Sequence, residues 1–98
     1  MGYKTLHLNG VELKVFDDGH GDAVVLLHGF PDSSRLWRHQ IPVLLEQGYR
    51  VIAPDLRGFG ESSKPDDVGS YALGLYVADV LAILDELSVP AAHVVGHD

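Results

Sequence analysis

The sequence holds no cysteine, one methionine, one tryptophan and only seven lysines and arginines in 98 residues. Without cysteine there is no disulfide framework and no thiolate ligand for a metal, and redox chemistry gives no guide to compartment. The few cations stand singly, and against fourteen acidic residues they leave a formal charge of −7. No basic stripe is therefore available to neutralise phosphates, so neither nucleic acid nor a membrane surface is expected as a partner. Long apolar runs are also missing. Nothing approaches the roughly 20 residues needed to cross a bilayer, and "MGYKTLHLNG" lacks the apolar core of a signal peptide. Met1-Gly2 opens a myristoylation pattern, but Leu6 stands where serine or threonine is required. A cytoplasmic protein is the default expectation.

What is present describes a globular α/β chain. Hydrophobic residues at 46% and charged residues at 21% lie far from the disordered range. At this length, however, apolar burial offsets chain entropy by a thin margin. "TLHLNGVELKVFDDG" alternates on both sides of Asn9-Gly10, a dipeptide that tolerates positive φ at both residues and so predicts an antiparallel hairpin. The pattern then changes to the unbroken apolar run "AVVLL". The same texture returns in "RVIAP" and "AHVV", as expected of parallel strands covered on both faces and joined by helical crossovers.

In the first crossover Trp37, Ile41, Leu44 and Leu45 fall at helical spacing and Gly48 is a stop, while Pro42 predicts a break or restart. In the second, Leu73, Val77, Val80, Leu81, Leu84 and Leu87 share a face that Leu75, Tyr76 and Ile83 widen. That helix is expected to be heavily buried, with Ser70 capping its start. "GFGESSKPDDVG" reads as a polar surface loop.

Three stretches carry chemistry. "LLHGFP" leaves a buried strand at its C-terminal end, the side on which open α/β sheets bind ligands, though a tight strand-to-helix turn would read the same way. "PDLRGFGESS" leaves the next strand through two glycines. Its Asp55 and Arg57 are expected to pair and brace the loop, and it lacks the third glycine and the lysine of a phosphate cradle. "VVGHD" places Asp98 after a strand and Gly96, the first half of a nucleophile elbow. An aspartate there needs no base to ionise it, since its ordinary pKa is about 3.9, but a helix-capping aspartate has the same signature.

Taken in order, "HGFP", "RHQIP", "DLRGFGESSKP" and "VVGHD" resemble the N-terminal part of an α/β-hydrolase of the epoxide hydrolase and dehalogenase branch. The resemblance implies the α/β-hydrolase fold, with residues 1–98 forming the N-terminal part of its core and ending at the elbow. The lid and the C-terminal core would lie outside this chain. By the same resemblance Asp98 is the catalytic nucleophile and the backbone N–H of Phe30 is an oxyanion-hole donor. Phe30 and Pro31 meet substrate, with a cis bond between them. His28, Gly29, Gly96 and His97 support the site, and a general base and lid tyrosines come from elsewhere. No cofactor and no metal is implied.

The implied reaction is the opening of an epoxide to a vicinal diol through an ester on Asp98. Haloacetate or haloalkane dehalogenation by the same nucleophile is the alternative. "HGFP" is shared by epoxide and haloacetate enzymes, "WRHQIP" leans toward epoxides, and Phe30 stands where haloalkane enzymes tend to carry asparagine. A different class of reading is a non-catalytic fragment used as a binding or assembly unit. The partners expected are a small-molecule substrate and the rest of the fold, which a second chain could supply.

Overall fold

The structure, a computed structural model, describes residues 2–97. Strands β1 (Tyr3–Leu8) and β2 (Val11–Asp18) form the expected hairpin, pairing Leu8 with Val11. Asn9 and Gly10 turn it with φ of 51° and 78°. Strand β3 (Ala23–Leu27) follows, then a 3-10 turn over Ser34–Trp37, helix α1 (Gln40–Glu46) and strand β4 (Arg50–Pro54). A second 3-10 turn at Val68–Tyr71 leads into helix α2 (Leu73–Glu86) and strand β5 (Ala92–Gly96). The sheet order is β1-β2-β4-β3-β5, with β3 parallel to both β4 and β5, and β2 antiparallel to β4.

The period-two alternation of β3 divides the core between the two faces of the sheet. Val24 and Leu26 pack with Val51, Ala53, Trp37 and Ile41 on the α1 side, whereas Ala23 and Val25 pack with Leu13, Val15, Ile52 and Ile83 on the α2 side. Each fully buried aliphatic side chain stabilises by about 1.5–3 kcal/mol. The expectation at Pro42 holds: the 3-10 turn ends and α1 restarts at Gln40, so Pro42 falls in the first turn, where its missing N–H breaks no helical bond. Gly48, at φ 93°, takes the left-handed conformation that closes α1. Its N–H donates to Leu45 O, and that of Tyr49 donates to Leu44 O.

Four expectations change. Helix α2 is not heavily buried: Leu84 and Leu87 pack on the core beside buried Ile83, but Leu73, Val77 and Leu81 are 79%, 53% and 57% exposed. The apolar face spans two surroundings, the sheet under its C-terminal half and an open cavity along its N-terminal half. Ser70 does not cap the helix. It lies in the preceding 3-10 turn, donating its hydroxyl to Asp67 Oδ1, and Ala72 enters α2 without a side-chain cap. Strand β5 has the texture of a covered strand, yet Val94 and Val95 are 57% and 43% exposed because it is the edge of the sheet in this chain.

The fourth change concerns the loop after β4. Asp55 and Arg57 brace it as expected, but not by pairing with each other. Asp55 accepts the N–H of Ser34 at 2.8 Å and of Glu61 at 2.9 Å. The Arg57 guanidinium donates to both oxygens of Asp79 on α2, at 2.7 and 2.9 Å, and to Ser70 O at 3.0 Å. Asp79 also accepts Asn9 Nδ2 from the hairpin turn. Part of the expected surface loop is therefore anchored: Ser62 is buried, accepting Lys14 N–H and donating to Asp55 O. Gly60 has φ 55°, and a Cβ there would run into the Asp55 carboxylate.

Asp17, at the other end of the sheet, accepts two bonds from the Arg50 guanidinium and one from Lys4 Nζ. The Arg50 bond is the main cause that holds its carboxyl below the ordinary aspartate range. A carboxyl whose folded pKa is depressed contributes stability above its unfolded pKa, about 3.9, and loses it as pH falls through the folded value. Asp17→Asn is expected to lower stability at pH 7 by about 1 kcal/mol, Lys4 counting little because it is well solvated. The deficit should shrink below about pH 4. Denaturant midpoints at pH 7 and pH 3 check this, and an equal deficit at both would contradict it.

Candidate active site

The register of β3 and β5 builds the site. Leu27 pairs with Gly96, and His97 N–H donates to Leu27 O at 3.0 Å, so two segments remote in sequence leave the sheet side by side. One is His28-Gly29-Phe30-Pro31, in which the Phe30-Pro31 bond is cis as expected. The other is Gly96-His97. Asp98, the expected nucleophile, lies outside the described residues.

Between these strand exits and α2 opens a cavity of about 890 Å³. Leu27, His28, Gly29 and Phe30 form one wall and Gly96 and His97 another. Leu56 and Phe59, from the loop after β4, and the side of α2 bearing Leu73, Tyr76, Val77, Val80 and Leu81 complete it. The lining is almost wholly apolar, which suits a ligand with hydrocarbon or aryl groups.

Six of the expected site residues are thus placed. Phe30, His28, Gly29, Gly96 and His97 come together around the cavity, while Pro31 stands beside it and is not among its lining residues. Phe30 is 76% exposed, and its ring meets Phe59 edge-on, with centroids 5.8 Å apart. Phe59 in turn meets the His28 ring edge-on at 5.4 Å. The His97 ring lies against Trp37, 6.4 Å away.

His28 is buried and fully engaged. Its Nε2 accepts the N–H of Leu56 at 3.0 Å, and its Nδ1 lies 2.8 Å from Gly29 O. Since a backbone N–H can only donate, Nε2 carries the lone pair and the proton sits on Nδ1. A ring occupied at both nitrogens is a brace between two loops rather than a base facing substrate.

Leu56, Phe59 and the exposed stripe of α2 were not readable as cavity walls. "DLRGFG" signalled a structured loop but not its orientation, and the i, i+4, i+8 spacing of Leu73, Val77 and Leu81 is the same for a core face and a cavity face. Tyr76 also lines the cavity, but its hydroxyl donates to Arg57 O at 3.0 Å, and burial pushes its phenol up. Among the described residues no group of histidine, aspartate and glutamate is arranged to hold a metal ion, and no helix is long and apolar enough to cross a membrane.

A sequence model described as the alpha/beta hydrolase fold matches residues 22–98. Epoxide hydrolase A of Mycobacterium tuberculosis is 46% identical over 103 aligned residues, covering 100% of this chain and 32% of that protein. Epoxide hydrolase 2 of Siraitia grosvenorii is 44% identical over 96 residues, covering 98% of this chain and 30% of that protein. The crystal structure of an epoxide hydrolase from Vigna radiata superposes with a TM-score of 0.94 at 42% identity, over 98% of this chain and 31% of that one. The chain therefore spans about a third of the length of these relatives.

Proposed function

Because the chain belongs to the alpha/beta hydrolase fold family, we propose that residues 1–98 form the N-terminal part of an enzyme core that opens epoxides to vicinal diols. The observation that carries this reading is the pairing of Leu27 with Gly96. It brings the Phe30 turn beside Gly96-His97 at the wall of an apolar cavity, and Asp98 is the next residue in the sequence. The similarity to proteins named epoxide hydrolases supports the choice of substrate class.

In the first step an Asp98 carboxylate oxygen attacks a ring carbon. The ring C–O bond breaks, and the departing oxygen takes a proton from an acid beyond these residues, leaving a hydroxyalkyl ester on Asp98. In the second, a base removes a proton from water, whose oxygen attacks the ester carbonyl carbon. The Phe30 N–H donates to the resulting oxyanion. Collapse breaks the bond to the alkyl oxygen, which takes the proton held by the base and leaves as the diol, and the Asp98 carboxyl gives its own proton back to the acid of the first step. The residue before Asp98, His97, has its ring edge-on to Trp37, which ties the end of β5 to the α1 side of the sheet.

The test uses the polypeptide translated from its whole coding sequence and, as a second host, a chimera in which residues 1–98 replace the matching third of the Vigna radiata enzyme. Diol formation from an aryl epoxide is expected. Halide release from a haloacetate instead would establish the dehalogenase reading. Neither product from either host would leave a binding or assembly role.

A further inference from the structure

Gly29 O receives two hydrogen bonds, from Asp32 N–H at 3.1 Å and from His28 Nδ1 at 2.8 Å, while the other face of the same imidazole accepts Leu56 N–H. The cis bond of this turn lies one residue later, so the Gly29–Phe30 peptide is trans. In a trans peptide the carbonyl and the following N–H point in opposite directions along one rigid plane. Fixing the Gly29 carbonyl therefore aims the Phe30 N–H. From this geometry we infer that His28 is a positioning residue with two separable duties. Its Nδ1–H orients the Phe30 N–H toward the oxyanion, and its Nε2 holds the Leu56–Phe59 wall of the cavity. The inference rests on the epoxide-opening reading above and assigns to His28 a share in one of its two steps.

The two duties predict opposite kinetic signatures. The oxyanion forms only when water attacks the ester, so loss of the Nδ1 bond slows hydrolysis and spares ester formation. Turnover and KM then fall together, and kcat/KM, which reports ester formation, is unchanged. Loss of the Nε2 bond loosens a wall that substrate touches from the start, which raises KM at similar kcat. Two isosteric replacements separate these effects. Asparagine puts an amide N–H close to the place of Nδ1 but cannot reach Leu56, whereas glutamine puts an acceptor near the place of Nε2 and leaves no donor at Nδ1.

In either host, His28→Gln is expected to lower kcat about 10- to 100-fold, a part of the roughly 10²–10³ attached to a whole oxyanion-hole donor. Its KM should fall in step, with the alkyl ester accumulating as a mass increment on the protein. His28→Asn is expected to keep kcat within about threefold and to raise KM several-fold. A parent that forms diol while the two variants share one kinetic signature, with no ester accumulating in His28→Gln, would overturn the inference and leave the epoxide reading standing. A parent that forms neither ester nor diol would overturn that reading itself. The tautomer supplies a second measurement that no folding defect can confuse. In parent protein labelled with 15N histidine, His28 should show a protonated Nδ1 and a bare Nε2 at neutral pH. The reverse pattern would end the inference whatever the variants do.

Discussion

Asp98→Asn, freshly prepared in either host, is expected to lose epoxide turnover by about 10⁴-fold or more, the scale on which removal of a covalent nucleophile acts. The reason is electronic rather than steric. The amide has nearly the shape of the carboxylate, but its oxygen carries no full charge with which to displace a ring oxygen at sp3 carbon. Substrate affinity should persist, because the cavity walls from Leu27 to Phe30 and from α2 are untouched. The direct check is mass spectrometry during single turnover: the parent passes through an adduct of substrate mass, and the variant never does. Substantial activity in fresh variant, without adduct, would remove Asp98 from the chemistry.

The second large effect falls on stability. Asp79→Ala should destabilise either host by about 3–5 kcal/mol, because it strands the Arg57 guanidinium in a place closed to solvent. Both partners are nearly inaccessible, at 3% and 2% side-chain exposure, so water cannot screen or replace the lost charge. Asn9 Nδ2 loses its acceptor in the same change, which unties the hairpin turn from α2. Replacing both members, Arg57→Met with Asp79→Leu, should cost less than the single change, since no unpaired charge is left inside. Denaturant midpoints of the three variants decide this. A single-variant loss below about 1 kcal/mol would mean that the pair is effectively solvated.

These two residues also mark where sequence reading succeeds and where it stops. The hairpin at Asn9-Gly10, the parallel strands and the restart of α1 before Pro42 follow from local rules, namely positive φ, two-residue alternation and a missing donor. The exit of β3 through His28-Gly29 was legible for the same reason, since a glycine-containing turn after an unbroken apolar run is a local signal. Arg57 could be seen to brace something, but not that its partner lies on α2, twenty-two residues away, because an ion pair leaves no periodicity in the chain. Asp79 was hidden for a related reason: a charged residue in an apolar helix reads as a solvated position until a guanidinium is placed opposite it. The exposure of Leu73, Val77 and Leu81 was hidden too, because a helical stripe records which residues share a face and not what lies across from it.

Strand β5 makes a final point. Of the parallel strands it holds the fewest apolar side chains out of water, pairing in this chain with β3 along one margin only. An apolar margin of that kind invites a further strand. In either host, where the proposed remainder of the core would lie along it, amide protons of residues 93 to 96 should exchange as slowly as those in β3 and β4. Early exchange there would mean that Val94 and Val95 stay uncovered and that the His97 end of the cavity is loosely held.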